Sequence, residues 1–251
     1  MFDVRGRHVL VTGATKGIGR MIAQGFHAEG AVVYVNSRHP EDCHETVSVF
    51  GEPAVASPGD VSTVAGCNAL ASQIAEHSPK LDVLVNNAGT TWGADLVDYP
   101  DAAWDDVLAV NLKAPFHLTV ACLDLLMEAA SPTRPSRVIN IGSVDGLHVP
   151  LWQSYAYSSS KAGLHHLTRH LAKRLAPDSI TVNAIAPGIF ESRMTQFAFE
   201  NGSDELVAAT PMGRVGESAD AAGAAVFLAS PAASWITGVV LPVDGGYGAL
   251  R

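Results

Sequence analysis

A chain of 251 residues, 47% hydrophobic and only 16% charged, has enough apolar side chain for a sizeable core and is not disordered in composition. Its net charge of -9, from 25 acidic and 16 basic residues, argues against a broad surface for nucleic acid or anionic membrane and leaves room for a local basic pocket. The three cysteines, Cys43, Cys67 and Cys122, show no metal-ligand spacing and read as thiols kept reduced in a reducing compartment.

Strand-like and helical patterns alternate along the chain. "HVLVTG" predicts a strand, and "GIGRMIAQGFHAEG" a helix closed by Gly30 as C-cap. "AVVYVN" is the next strand, a polar helix begins near Pro40, and "PAVASP" is a short strand. "TVAGCNALASQIAEH" reads as a helix and "LDVLVNN" as a strand; the pattern from Trp104 to Glu128 predicts one long helix. "RVINIGS" is a strand, about Ser154 to Leu175 a helix, "SITVNAIAP" a strand, "ADAAGAAVFLAS" a helix, and "GVVLPVDGG" a last strand. Several strands are near-continuous apolar runs, as in parallel sheets covered on both sides. The expectation is therefore an α/β fold: one doubly wound, Rossmann-type parallel sheet with helices on both faces, in a single domain over residues 1–251. Residues 188–215 are too long for an ordinary connection and are expected to form a substrate loop or lid. "MFDVRGRHVLVTG" runs straight into a strand, and no apolar run approaches the ~20 residues of a membrane span, so a soluble, cytoplasmic protein is expected.

"TGATKGIG" spans Thr12 to Gly19, between the first strand and the first helix. In that position Gly13, Gly17 and Gly19 allow a tight turn and a close approach to a pyrophosphate, which the free N–H groups of the helix start would hold. An acid at the end of the second strand would bind the ribose hydroxyls of NAD. Here the sequence is "VNSRHP", with no acid at Asn36, Ser37 or Arg38. Arg38, Lys16 and the Ser37 hydroxyl suit a 2′-phosphate instead, so the expected cofactor is NADP(H).

Within "YAYSSSKAG", Tyr157 and Lys161 are four apart and share a helix face, whereas Tyr155 has Ser159 at that offset. A free phenol, with a pKa of about 10, is a poor acid–base group at neutral pH. An ammonium nearby is expected to lower it. The serines are expected to be small so that bulk at Ser159 does not crowd a nicotinamide. Ser143 ends the strand "RVINIGS", where a hydroxyl can hold a substrate carbonyl. Asn111 precedes Pro115 by four residues, and a proline-induced bend frees a carbonyl able to hold a water.

Taken together, "TGATKGIG", "NNAG" at 86–89, Asn111, Ser143, Tyr157 with Lys161 and "APG" at 186–188 resemble the short-chain dehydrogenase/reductase family, in that family's order and over nearly the whole chain. The resemblance implies a catalytic tetrad of Asn111, Ser143, Tyr157 and Lys161. Tyr157 would be the proton donor or acceptor and Ser143 would position the carbonyl. Lys161 would bind the nicotinamide ribose and tune Tyr157, and Asn111 would anchor a relay water. It further implies adenine contacts at Asp60 and Val61, a cofactor-side loop at Asn86, Ala88 and Gly89, a nicotinamide contact at Ile189, and a pyrophosphate contact at Ser192 in place of a usual threonine. With Thr15 and Ile18 in the glycine turn, and Pro187 and Gly188 in "APG", these complete the expected cofactor set. "NNAGTTWGADLVDYP", "YAYSSSKAGLHHLTRHLAKRL", "SRMT" and "PMGRVG" look like β-ketoacyl reductases of the NADPH-dependent, rhamnolipid-linked type. Asp145 departs from that pattern, since a small residue is usual there.

The implied function is NADP(H)-dependent hydride transfer at a CH–OH or carbonyl carbon, with reduction of a 3-oxoacyl thioester as the leading substrate. A polyol, sugar-acid or steroid alcohol dehydrogenase and a non-catalytic nucleotide-binding scaffold are the alternatives. Phe190, Met194, Phe197, Phe199, Trp92, Leu151 and Trp152 are read either as an apolar wall for the substrate or as ordinary packing. His165, His166 and His170 are expected on the helix surface or at a subunit interface, with no metal. The apolar ending "GVVLPVDGGYGAL" resembles a strand that family members pack in tetramers, so a homo-oligomer is expected, a tetramer or dimer.

Overall fold

Seven short strands, β1 (His8–Val11), β2 (Val32–Val35), β3 (Ala54–Ala56), β4 (Val83–Asn86), β5 (Ser136–Ile141), β6 (Ile180–Pro187) and β7 (Val240–Val243), form one sheet. Every pairing is parallel, in the order β3-β2-β1-β4-β5-β6-β7, in a computed structural model that describes residues 1–150, 152–191 and 207–250. Alternation along the strands divides the core in two. Val9, Val11, Val33, Val35, Val83, Val85, Ile139 and Ile141 face one side, where they meet Ile22 and Phe26 of α1 (Gly17–Ala28) and Ala225 and Leu228 of α8 (Ser218–Ala229). Leu10, Tyr34, Leu84 and Val138 face the other side. There they meet Leu70 and Ile74 of α3 (Val64–His77), Leu118 of α5 (Ala114–Ala121) and Leu171 of α7 (Tyr155–Leu175). Burying each such side chain contributes about 1.5–3 kcal/mol, and the polar residues that share the strands, among them Asn86 and Asn140, are hydrogen-bonded to one another or to neighbouring elements. On the first side α1 and α8 touch closely: a Cβ at Gly25 would lie 2.4 Å from the Ala222 Cβ. The remaining helices are α2 (Pro40–Phe50), α4 (Asp101–Leu108) and α6 (Leu123–Ala129).

The long helix predicted from Trp104 to Glu128 is broken twice. A π-helical turn, Ala109–Lys113, separates α4 from α5, and there the Ala114 N–H reaches back five residues to the Ala109 carbonyl. Pro115 sits in the first turn of α5, in helical backbone that runs on from the π turn, so it offers no N–H to the carbonyls before it, and Cys122 divides α5 from α6. Chain order turns around between β1 and β4, since β2 and β3 extend to one side of β1 and β4 begins the other. A crevice at the carboxyl ends of those two strands follows from that reversal. Among the described residues no single helix is long and apolar enough to cross a membrane.

Candidate active site

The glycine turn between β1 and α1 is folded hard against the loop after β4. Thr12 Oγ1 accepts from the N–H groups of Asn87 and Ala88, both at 2.9 Å, while Asn87 Nδ2 donates to the Thr12 carbonyl at 2.8 Å. Gly13 and Gly17 have φ of 62° and 54°, and a Cβ at Gly19 would meet Asn87 Nδ2 and the Gly13 oxygen at 2.2 Å. Only a side-chain-free turn fits this cradle. No side chain caps the start of α1, so its first-turn N–H groups stay available to an anion.

Backbone bonds carry this turn over to β2 and β3: Ala14 N–H to the Asn36 carbonyl at 2.9 Å, and Gly59 N–H to the Ser37 carbonyl at 3.0 Å. Asn36 is buried and donates to the Ser57 and Gly59 carbonyls, so it is structural. Ser37 is half-buried, and Lys16 and Arg38 are exposed. Glu41 pairs with His39, and among the described residues no carboxylate pairs with Arg38.

The other end of the crevice is built by β5, α7 and the π turn. Ser143 follows β5, and its Oγ accepts from the Asp145 N–H at 3.1 Å, which leaves the hydroxyl proton free to point elsewhere. Lys161 Nζ donates to the Ile141 carbonyl at 2.7 Å and lies 5.6 Å from the centre of the Tyr157 ring. Asn111 stands on the π turn. Its Oδ1 accepts from the Thr90 N–H at 2.9 Å, and its Nδ2 donates to the Thr90 carbonyl at 2.9 Å and to Ser160 Oγ at 3.0 Å. Ser160 in turn donates to the Tyr157 carbonyl at 2.6 Å. A Cβ at Gly89 would sit 3.2 Å from Asn111 Oδ1 and 3.8 Å from Lys161 Nζ, so the β4 loop, the π turn and α7 converge on one point.

Electrostatics here reverse one expectation from the sequence. Part of Tyr157 faces the crevice, but its hydroxyl lies deep, and burial pushes its pKa up to about 12. A hydrogen bond from Ser143 works against the rise and the Asp145 carboxylate adds to it. Any pull from Lys161, whose own pKa burial lowers to about 8, does not offset that rise. Tyr157 therefore holds its proton throughout the neutral range.

An open crevice of about 930 Å³ is lined by Gly13, Lys16, Gly17, Ile18, Gly19, Ala88, Gly89, Ser143, Tyr157, Lys161, Pro187 and Gly188 from the expected set. Asn87, Ile141, Gly142 and Phe190 join them without having been expected as cofactor contacts. Thr15, Ser37, Arg38, Asp60 and Val61 lie outside that lining, toward the end built by β2 and β3. Asp60 is exposed, with Oδ1 accepting from the Ser62 N–H, and Val61 is buried. The side chain of Asn86 lies in the sheet and donates to Asn140 Oδ1 at 2.9 Å, while Asn87, one residue on, lines the crevice. Asn111 is 1% exposed and acts from behind the wall. Ile189 lines a neighbouring cavity of about 790 Å³, and Phe190, buried against Gly216, separates the two. Ser192, Met194, Phe197, Phe199 and Leu151 lie outside the described residues, as does most of the 188–215 loop. Trp92 and Trp152 are about half exposed.

Other residues of α7 also depart from expectation. His166 and His170 are on the surface, but His165 is buried, with burial lowering its pKa to about 4. Ser159, expected to face the nicotinamide, is exposed, and Ser160 is the serine with structural partners. Tyr155 donates to Gln153 Oε1 and packs edge-on against Tyr99, whose hydroxyl accepts from the Ala156 N–H at the start of α7.

Residues 13–248 match the family model described as Enoyl-(Acyl carrier protein) reductase, a model of short-chain dehydrogenases/reductases. The chain is 46% identical over 252 residues to the rhamnolipids biosynthesis 3-oxoacyl-[acyl-carrier-protein] reductase of Pseudomonas aeruginosa, covering 98% of each. It superimposes on the Pseudomonas aeruginosa RhlG/NADP active-site complex with a TM-score of 0.95 at 44% identity, covering 98% of both chains. A 2-dehydro-3-deoxy-D-gluconate 5-dehydrogenase of Dickeya dadantii is 33% identical over 253 residues, covering 98% of this chain and 97% of that protein.

Proposed function

The chain belongs to the short-chain dehydrogenase/reductase family, and from that premise we propose that it reduces a 3-oxoacyl thioester with NADPH, with Tyr157 supplying the proton. It is an NADP-dependent oxidoreductase that moves a hydride between nicotinamide and a carbonyl or secondary alcohol carbon. Similarity to a 3-oxoacyl reductase supports the reductive direction, and burial that favours the neutral phenol of Tyr157 beside the Ser143 hydroxyl is consistent with a proton donor there. Such a group is ready to donate to a developing alkoxide, whereas oxidation would first require it to ionise.

The cradle fits the cofactor: the side-chain-free turn at Gly13, Gly17 and Gly19 and the uncapped start of α1 suit a pyrophosphate, and Arg38, Lys16 and Ser37 suit a 2′-phosphate. When bound, the reduced nicotinamide supplies the hydride. Ser143 then holds the substrate oxygen and Tyr157 protonates it, an effect typically worth ~10²–10⁴ in rate. Lys161, fixed by the Ile141 carbonyl, sits beside Tyr157 to take up the charge left on the phenolate, and Asn111 holds Thr90 and Ser160 so that the loop and α7 keep their spacing. Asp60, Val61, Asn86, Ala88, Gly89, Ile189 and Ser192 complete the proposed cofactor contacts by family resemblance.

The rest of the reading is a single domain over 1–251, a substrate loop within 188–215, a cytoplasmic location and a homo-oligomer. Similarity to the Dickeya dadantii enzyme supports sugar-acid chemistry as a second reading. NADPH oxidation with acetoacetyl-CoA and with 5-ketogluconate separates the two. Turnover of the thioester alone is expected, and turnover of the sugar acid alone overturns the proposal. Silence with both, while NADPH binds, points to the scaffold alternative.

A further inference from the structure

His165 lies one turn beyond Lys161 on α7 and is only 2% exposed. Its ring nitrogens make no hydrogen bond of good geometry, although the Gly146 backbone lies close enough to raise its pKa. Its closest approaches fall on the two glycines that bracket the Ser143 turn. A Cβ at Gly142 would lie 2.1 Å from His165 Nε2, and a Cβ at Gly146 would lie 2.8 Å from His165 Cε1. Neither glycine has positive φ, so backbone conformation does not explain why both lack a side chain. At Gly142 the imidazole does, since it occupies the space that the Cβ would take; at Gly146 it shares that role with the α7 backbone at Lys161 and Ala162. From the other side Gly142 is held by its N–H to the Ile185 carbonyl at 2.7 Å, and the turn closes through Gly146 N–H to the Ser143 carbonyl at 3.0 Å.

We infer that His165 is a positioning residue, a buried wedge whose ring sets the height of the 142–146 turn and so aims the Ser143 hydroxyl at Tyr157. The inference rests on the carbonyl-reducing role proposed above for Ser143 and Tyr157. Burial keeps the ring uncharged at neutral pH, so the wedge works by shape. Small displacements of such a hydroxyl are costly, since ~1 Å of misplacement costs on the order of 10²-fold in rate.

The test is a double-variant cycle on the full chain, read by thermal melting and by reduction of acetoacetyl-CoA with NADPH. His165→Ala is expected to lower kcat roughly tenfold and leave the KM for NADPH within about twofold, a split that general loosening would not give. Gly142→Ala should lower the melting temperature of the parent but cost far less in the His165→Ala background, because the ring it strikes is gone. Gly146→Ala should stay damaging in both, since its Cβ also meets the α7 backbone at Ala162 N, 2.7 Å away. An unchanged kcat in His165→Ala overturns the inference, as do melting losses at 142 and 165 that simply add. The melting cycle needs no turnover. A parent that binds NADPH but ignores acetoacetyl-CoA therefore refutes the substrate reading, and the cycle still decides the wedge.

Discussion

At the reaction end of the crevice the polar groups are tied into the fold from several directions. Asn111 joins Thr90 to Ser160, Ser160 joins Asn111 to Tyr157, and Lys161 is fixed on the Ile141 carbonyl. At the phosphate end, Lys16 and Arg38 stand exposed and outside any such web, and other residues hold the segments that carry them, through the Ala14–Asn36 and Gly59–Ser37 backbone bonds and the buried Asn36 side chain. The difference lies in what a substitution can change. Inside the web, a lost side chain strands its buried partners, so chemistry and stability fall together unless only the reacting atom is removed. Outside it, a side chain can be exchanged with little structural consequence, which makes the phosphate end the place where cofactor preference is set.

Tyr157→Phe should show the largest effect, a loss of about 10³ in kcat with NADPH affinity, read by nucleotide fluorescence, nearly unchanged. Turnover equal to the parent would sink the mechanism. Asn111→Leu comes next. It strands the Thr90 N–H and carbonyl and the Ser160 hydroxyl, so kcat should fall on the order of 10²-fold and the melting temperature should drop with it, each stranded group costing ~1–3 kcal/mol. A large rate loss with an unchanged melting temperature would break the picture of a load-sharing web. At the open end, Arg38→Glu should raise the KM for NADPH on the order of tenfold while leaving kcat and the melting temperature near the parent's. A matching loss with NADH would show that Arg38 does not read the 2′-phosphate.

The smallest expected effect is a pH signature of the web. Burial lowers the Lys161 pKa from its ordinary 10.5 to about 8, so between those values the unfolded chain binds more protons and stability rises with pH. Tyr157 acts oppositely: from 10.0 to about 12 the unfolded chain has already lost a proton that the folded one keeps, and stability falls. Urea midpoints at pH 7.5 and 9.5 should therefore rise less in Lys161→Met than in the parent.

Sequence patterns alone placed all seven strands, because each carries an apolar run that a covered parallel sheet buries, even where polar residues such as Asn140 and Asn183 interrupt it. The helix spacing also selected Tyr157 over Tyr155, because i,i+4 geometry survives burial. Other features were invisible for physical reasons. A π turn adds so little to the hydrophobic period that Trp104 to Glu128 still reads as one helix. Three adjacent serines point in three directions, and nothing local says that Ser160 faces Asn111. His166 and His170 carry the familiar metal spacing and drew attention from His165, whose partners are two glycines of a distant turn. The sign of the Tyr157 shift depends on desolvation, which spacing to a lysine does not report.

The Ala109–Lys113 turn makes the placement of Asn111 a matter of counting as well as chemistry. Such a turn holds one residue more than the regular helix around it, and each residue in a helix is worth about 100° of rotation. Deleting a single residue there would restore a regular helix with every functional side chain still present. The buried faces of α4 and α5, at Val107 and at Leu118, would keep their mutual register, because the extra residue and its bulge leave together, but Asn111 would lose the turn that sets its side chain between Thr90 and Ser160. A one-codon deletion in this turn is thus expected to be more damaging than most substitutions within it.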